Sequence, residues 1–174
     1  MQVTQYDNIL SEELYNEVYV YTEKLISEKK TQFTTNIALW GDNIVKSSTP
    51  ILRYVFSDRE EVLFNKIKLE LESKTPYKVN FILLYLWTNL SYIPWHNDTH
   101  KDAGLTIYLN KNWDKDWGGY FLYEEKNEIK ALLPKKNFGV LQEGGVMHSV
   151  STINIGAEYR MTLQTFFNKE KSII

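Results

Sequence analysis

The chain has 174 residues, of which 43% are apolar and 14% aromatic, and its net charge is -2. This composition is typical of one globular domain, and so small a charge gives no reason to expect nucleic acid or an anionic membrane as a partner. Because the chain contains no cysteine, disulfides, thiolate metal sites and a cysteine nucleophile are excluded, and any metal must be bound by histidine and carboxylate side chains.

No segment of the sequence has the pattern of a targeting signal or a membrane span. Residues 1–5 lack the basic and apolar regions of a signal peptide. The longest apolar run, residues 81–87, is too short to cross a bilayer. From the length and composition we expect one domain over residues 1–174. From the absence of these signals we expect a cytoplasmic location.

The sequence pattern in the first part of the chain predicts two helices. Ser11 is a suitable N-cap for a first helix that runs to about Lys30. A second helix begins at Asp58, where Glu61 completes a capping box, and its apolar stripe consists of Leu63, Ile67 and Leu71. Between the helices, residues 33–56 have the pattern of strand and loop.

From residue 79 onward, short runs of β-branched and aromatic residues alternate with turn signals. The predicted strands are 79–87, 92–98, 104–110, 119–124, 128–133, 137–142, 145–151 and 157–168. About eight short strands after a helical lead-in predict a mainly β fold, a jelly roll or double-stranded β-helix with helices against one sheet. We place the lead-in at about residues 1–76 and the β-core at about 77–168.

Two histidines and one aspartate form the candidate metal site. His96 and Asp98 are two residues apart, so in a strand both side chains point to the same face. His148 lies in a later strand that a jelly roll can bring beside them. Two imidazoles and one carboxylate can occupy one face of a non-haem Fe(II) ion and leave three positions open. Alternatively, Asp98 could belong to a turn with Asn97 and Thr99.

His100 is a rival ligand because it shares the strand parity of His96 and Asp98. The following Lys101-Asp102 and Gly104 indicate that the chain is leaving the strand there. We therefore expect His100 in the mouth of the site or in solvent.

Arg160 is the candidate anion-binding residue. Strand alternation predicts Met161 and Leu163 on the helix side, and on the barrel side Arg160, Thr162, Gln164 and Phe166. A charge in the interior is costly unless it is paired. An incoming carboxylate would pair with the guanidinium, and Thr162 or Gln164 could add a hydrogen bond. The alternative is a salt bridge to an internal Asp or Glu.

The segment from Gly104 to Trp113, which contains Tyr108-Leu109-Asn110 and is followed by Gly118-Gly119, resembles the central block of prolyl 4-hydroxylase-like 2-oxoglutarate/Fe(II) oxygenases. In that family a Tyr-Leu-Asn-x-x-Trp run leads into a Gly-Gly turn. The resemblance covers about residues 77–168. The sequence departs from the family pattern at Gln142, where many relatives carry phenylalanine, and in residues 86–91, which lack the usual glycine.

The resemblance implies a set of roles. His96, Asp98 and His148 bind Fe(II), and Arg160 pairs with the distal carboxylate of 2-oxoglutarate. Two tyrosines belong to the same pocket: Tyr108 donates a hydrogen bond to that carboxylate, and Tyr85 lines the pocket or is instead a core aromatic. The cofactor set is Fe(II), with 2-oxoglutarate and O2 as co-substrates and ascorbate as an accessory reductant. The aspartate favours hydroxylation over halogenation, because related halogenases have a small residue at that position.

The expected reaction is hydroxylation of an unactivated C–H, of a prolyl residue in a peptide or protein, or alternatively of a free amino acid or other small molecule. No nucleic acid or membrane partner is expected. One rival is a non-catalytic, cupin-like metal-binding protein, and a second is a zinc hydrolase with Glu143 as its acid or base. Trp95 and Trp117 either line a substrate groove or cover the barrel ends, and packing is favoured.

Overall fold

The computed structural model describes residues 2–28, 34–35, 51–56, 61–99 and 101–168. The described residues form two α-helices, α1 at Glu12–Ser27 and α2 at Glu61–Lys74. They also form the strands β1 Val3–Tyr6, β2 Thr34–Thr35, β3 Leu52–Val55, β4 Lys78–Trp87, β5 Ile93–His96, β6 Ala103–Tyr108, β7 Phe121–Glu125, β8 Glu128–Leu132, β9 Gly139–Glu143, β10 His148–Val150 and β11 Arg160–Asn168.

The strands pair into two antiparallel sheets. Within the described residues, the larger sheet has seven strands in the order β1-β9-β6-β11-β4-β3-β2, and the smaller has four in the order β5-β10-β7-β8. Apolar side chains fill the space between the sheets; Leu83 and Phe166 of the larger sheet, for example, share a cluster with Ile93 and Val150 of the smaller. This sandwich with two helices is a jelly roll, so the predicted fold class is confirmed.

The helices cover the outer face of the larger sheet. Their buried side chains share one apolar cluster with Met161 and Leu163 of β11, which confirms the predicted alternation of that strand. The stripe predicted for α2 is also confirmed, because the helix buries Leu63, Ile67 and Leu71. Neither helix in the described part of the chain is long and apolar enough to cross a membrane.

Ser11 is the N-cap of α1, as predicted, and its Oγ accepts a hydrogen bond from the backbone N–H of Leu14 at 3.4 Å. Two acidic residues follow in the first turn, where they interact favourably with the helix dipole. The predicted end of α1 at Lys30 and the predicted start of α2 at Asp58 lie outside the described residues.

Several strands differ from the sequence-based expectation, among them β1, β5 and β10, and β11 begins at Arg160 and not at residue 157. The sequence pattern does not predict β1, because a four-residue strand without a flanking turn signal depends on its pairing with β9. β5 ends at His96 and not at residue 98, because the chain turns directly after it. β10 begins only at His148, since the N–H of Val146 closes the preceding turn by bonding the carbonyl of Glu143 at 3.2 Å.

Asn137 joins the start of the chain to the loop before β9. Its side-chain oxygen accepts from the N–H of Leu10 at 3.0 Å, and its Nδ2 donates to the carbonyl of Leu10 at 2.7 Å. The residue is fully buried and has a left-handed backbone with φ of 53°. Asparagine tolerates that conformation better than most residues, so one side chain satisfies both the turn and the contact.

We expect Asn137→Ala to lower the free energy of unfolding by about 2–4 kcal/mol, because it removes two buried hydrogen bonds and leaves the partner groups of Leu10 unsatisfied. Asn127→Ala is the matched control, since Asn127 is an exposed turn residue with φ of 65°. That control should lose only about 1 kcal/mol from backbone strain. Equal losses in urea unfolding would show that the buried hydrogen bonds contribute nothing.

Candidate metal centre and co-substrate pocket

His96 and His148 lie opposite each other on two paired strands. They are partners in the β5–β10 register, and their ring centres are 4.2 Å apart. The next pair along is Val150 with Ile93, so β5 carries one more residue than β10 between the two pairs. This β-bulge re-aims the end of β5 and brings both imidazoles to the same point between the sheets.

Asp98 reaches the same point from a turn and not from a strand. Its backbone carbonyl accepts from the N–H of Lys101 at 2.9 Å, while its Oδ2 lies 3.7 Å from Nε2 of His148. The two sequence interpretations of Asp98, turn and convergent ligand, therefore both describe the structure. Potential ligand atoms of His96, Asp98 and His148 all lie within 4.8 Å of one another, and all three residues are buried.

The backbone fixes which nitrogen of each imidazole faces the centre. Nδ1 of His96 lies 2.9 Å from the carbonyl oxygen of Pro94, and Nδ1 of His148 lies 2.9 Å from that of Val146. A carbonyl can only accept, so each Nδ1 carries the proton and each Nε2 keeps its lone pair for a metal. Burial, together with the neighbouring His96, lowers the pKa of His148 to about 4, so this imidazole is neutral near pH 7.

Arg160 is fully buried and has no carboxylate partner among the described residues. Its Nη2 donates to the hydroxyl of Tyr108 at 3.3 Å, and its guanidinium lies 4.8 Å and 4.9 Å from the ring centres of Trp87 and Tyr108. Its Nε and Nη1 have no hydrogen-bond partner. Burial lowers the pKa of Arg160, and the neighbouring Tyr108 opposes this effect.

Two features of the Tyr-Leu-Asn and Gly-Gly motifs hold Arg160 in place. Asn110 bonds the backbone on both sides of it: Nδ2 donates to the carbonyl of Tyr159 and Oδ1 accepts from the N–H of Met161, each at 2.7 Å. Gly119 has φ of +67°, and a Cβ there would lie 3.0 Å from Cδ of Arg160. The glycine therefore leaves the space through which the arginine side chain passes.

One cavity between the sheets is lined by the three clustered residues and by Arg160. Tyr85 also lines it, as expected, and Tyr108 contacts the arginine. Burial raises the pKa of Tyr85 and of Tyr108, so both hydroxyls keep their protons near neutral pH and can donate hydrogen bonds. Thr162, the other expected pocket residue, accepts from Nε1 of Trp87 at 3.1 Å.

Several predicted candidates lie elsewhere. Trp95 is 37% exposed, and Trp117 packs edge-on against Trp113 with ring centres 5.1 Å apart. The carboxylate of Glu143 interacts with Tyr77, away from the cavity. His100 lies outside the described residues.

The sequence pattern does not predict the roles of Trp87, Asn110 and Gln142 in the site. Trp87 stacks on Arg160, Asn110 anchors its backbone, and Gln142 lines the cavity. Strand parity could have found Trp87, because it is two residues beyond Tyr85 on the same strand. The roles of Asn110 and Gln142 depend on partners far away in the sequence, so no local pattern indicates them.

The three potential metal ligands and the unpaired guanidinium of Arg160 determine what the cavity can bind. Two imidazoles and one carboxylate suit Fe(II) or a similar divalent metal. The free N–H groups of Arg160 suit a carboxylate bound in the same cavity, in the planar geometry that a guanidinium favours. The residues present therefore fit both a metal and an acidic co-substrate.

Several solved structures share this fold. The chain resembles a Pseudomonas putida prolyl-4-hydroxylase, with a TM-score of 0.71 and 14% identity over 97% of this chain and 92% of that one. It resembles a Trichoplax adhaerens prolyl hydroxylase solved with a hypoxia inducible factor peptide fragment, with a TM-score of 0.77 and 15% identity over 97% and 84%. It also resembles HygX from Streptomyces hygroscopicus, solved with nickel and 2-oxoglutarate. The TM-score is 0.69, and the identity is 9% over 97% of this chain and 83% of HygX.

These identities are too low to indicate more than a shared fold. No curated protein matches the sequence. The family model of the 2OG-Fe(II) oxygenase superfamily matches residues 82–168, which is half of the 174-residue chain and contains all the clustered residues and Arg160. The chain belongs to the 2OG-Fe(II) oxygenase superfamily.

Proposed function

We propose that this single-domain oxygenase is a 2-oxoglutarate- and O2-dependent hydroxylase in which His96, Asp98 and His148 hold Fe(II) and Arg160 binds the distal carboxylate of 2-oxoglutarate. The observation that carries the proposal is the buried guanidinium without a carboxylate partner, in the cavity that the three other residues line. Membership of the superfamily implies Fe(II), 2-oxoglutarate and O2.

The energetics of Arg160 support a carboxylate ligand. An unpaired charge in the interior lowers the stability of the folded protein by several kcal/mol. A dicarboxylate that enters the cavity supplies the missing partner and satisfies Nε and Nη1 in one step. Tyr108 already accepts from Nη2, so its own hydroxyl proton remains to be donated to the same carboxylate.

Fe(II), when bound, supplies the activation of O2 that couples oxidative decarboxylation of 2-oxoglutarate to hydroxylation of a C–H bond. The protein residues bind and orient. The carbonyls of Pro94 and Val146 hold the two imidazoles, and Trp87 and Tyr108 hold the guanidinium between their rings. Asp98 favours hydroxylation over halogenation because it occupies a ligand position that a halide would need.

For the substrate we propose a prolyl residue in a peptide or protein. The fold shared with prolyl hydroxylases, one of them in complex with a peptide, supports this choice. A free amino acid or other small molecule is the alternative, because the same fold serves many reactions. The use of ascorbate and a cytoplasmic location stay predictions.

The two rival functions explain less of the site. A cupin-like binding protein has no use for a buried arginine in its metal cavity. A zinc hydrolase needs a second acid or base near the metal, and Asp98 is the only carboxylate residue among the described residues that line the cavity. Glu143 interacts with Tyr77 instead.

We expect His96→Ala and His148→Ala each to weaken Fe(II) binding by more than about a hundredfold, because each removes a ligand from a three-residue site. His100→Ala is the matched control and should bind Fe(II) like the parent protein, since we propose that His100 is not a ligand. Anaerobic titration with Fe(II), followed by equilibrium dialysis, measures all three affinities. A loss for His100→Ala equal to that of His148→Ala would contradict the proposed ligand set.

Arg160→Met tests the co-substrate role. We expect the affinity for 2-oxoglutarate to fall by about a hundredfold or more, because a buried charge pair is lost, while Fe(II) binding is unchanged. The matched ligand is 2-oxopentanoate, which keeps the chelating 2-oxo acid and lacks the distal carboxylate. Its affinity should be the same for the parent protein and the variant.

The same substitution should stabilise the ligand-free protein by about 1–3 kcal/mol in urea unfolding, since it replaces an unpaired buried charge with an apolar side chain. In the presence of Fe(II) and saturating 2-oxoglutarate, the parent protein should be stabilised and become more stable than the variant. If Arg160→Met binds 2-oxoglutarate normally, the arginine is structural and the proposal fails.

A further inference from the structure

The side-chain oxygen of Gln142 is a buried acceptor without a hydrogen-bond partner in the described part of the chain. Gln142 is 2% exposed, lines the same cavity as the metal-site residues, and its Oε1 is completely buried and unsatisfied. An amide oxygen buried in this way costs about 1–3 kcal/mol. Strand β9 therefore holds an acceptor that a bound molecule can satisfy.

Gly104 makes the space for this amide. It is the register partner of Gln142 on the neighbouring strand β6. A Cβ at Gly104 would lie 2.6 Å from Nε2 of Gln142 and 3.4 Å from Nε2 of Gln164. Only a residue without a side chain permits the two carboxamides to meet over this point of the sheet.

Gln164 supplies the complementary donor. Its Oε1 accepts a hydrogen bond from Oγ1 of Thr106 at 2.6 Å, which fixes the orientation of the amide. The fixed amide directs Nε2, and not the oxygen, to the position above Gly104. Above Gly104 the pair presents the Nε2 donors of both glutamines, and the unsatisfied acceptor of the pair is Oε1 of Gln142.

The amide pair is distant from Arg160. Both Gln164 and Arg160 are on the inner face of β11, four residues apart, which is about 13 Å along a strand. Beyond Gln164 lies Phe166, whose ring is tilted against that of Phe81 with centres 4.9 Å apart. The partly exposed Lys101 places its ammonium 4.9 Å from the centre of the Phe81 ring. The two glutamines thus lie at the end of the cavity away from the co-substrate carboxylate.

We propose that Gln142 and Gln164 recognise an amide group of the substrate, which donates its N–H to Oε1 of Gln142 and accepts from Nε2 of Gln164. This inference rests on the proposed hydroxylase function and narrows its substrate to molecules with an amide near the oxidised carbon. Gln142 is then a specificity-determining residue. An ester or a free carboxylate lacks the N–H donor and leaves Oε1 of Gln142 unsatisfied, so it binds more weakly.

The test compares N-acetyl-L-prolinamide with N-acetyl-L-proline methyl ester, which differ in the N–H donor. Calorimetry under anaerobic conditions, on the protein loaded with Fe(II) and 2-oxoglutarate, measures both affinities without turnover. We expect the amide to bind about tenfold more tightly, and Gln142→Leu to remove this preference. Gln5→Leu is the matched control, because Gln5 is exposed on the adjacent strand β1, and it should keep the preference.

Gly104→Ala is the second variant. Its new Cβ collides with the flexible end of Gln142 and displaces the amide at little cost in stability, so the preference should again be lost. Equal affinities for the two compounds, no binding of either, or a preference that persists in Gln142→Leu would overturn the inference. Fe(II) and 2-oxoglutarate bound together are expected to give a visible charge-transfer band, which separates the amide-site proposal from the proposed hydroxylase function. If the band is present, one of these negative results rejects only the amide site. If the band is absent, both proposals fail.

Discussion

The unpaired charge of Arg160 in the barrel interior is the constraint around which the site is built. The side chain is fully buried, yet it contacts two aromatic faces and one hydroxyl and no carboxylate of the described residues. Asn110 holds its backbone and Gly119 leaves the space for its stem. The motifs around it therefore keep a cation at a place where folding alone disfavours one.

The two sheets carry different parts of the site. The smaller sheet places His96 and His148 side by side, and the larger sheet carries Arg160 and the two glutamines on the inner face of the barrel. Both helices pack on the opposite face of the larger sheet, so its inner face is free for polar residues. Strands hold most of the residues that line the cavity, and Asp98 comes from a turn directly after β5.

The sequence predicts most where a strand is long. β11 has nine residues, and its alternation correctly places Met161 and Leu163 outward and Arg160 inward. Parity is less reliable at a strand end: Asp98 was expected within a strand and lies in a turn, although the side chain still reaches the two histidines. The orphaned oxygen of Gln142 and the bonds of Asn110 depend on contacts across the fold, which no local pattern contains.

Absorption spectroscopy of the metal-free protein under anaerobic conditions tests the central claim most directly. Fe(II) is added first and 2-oxoglutarate last, and the visible region is recorded after each addition. We expect a weak charge-transfer band only when both are present, because the 2-oxo acid must chelate an iron held by His96, Asp98 and His148. Bound iron without such a band at saturating 2-oxoglutarate would contradict the account and leave Arg160 as a structural residue.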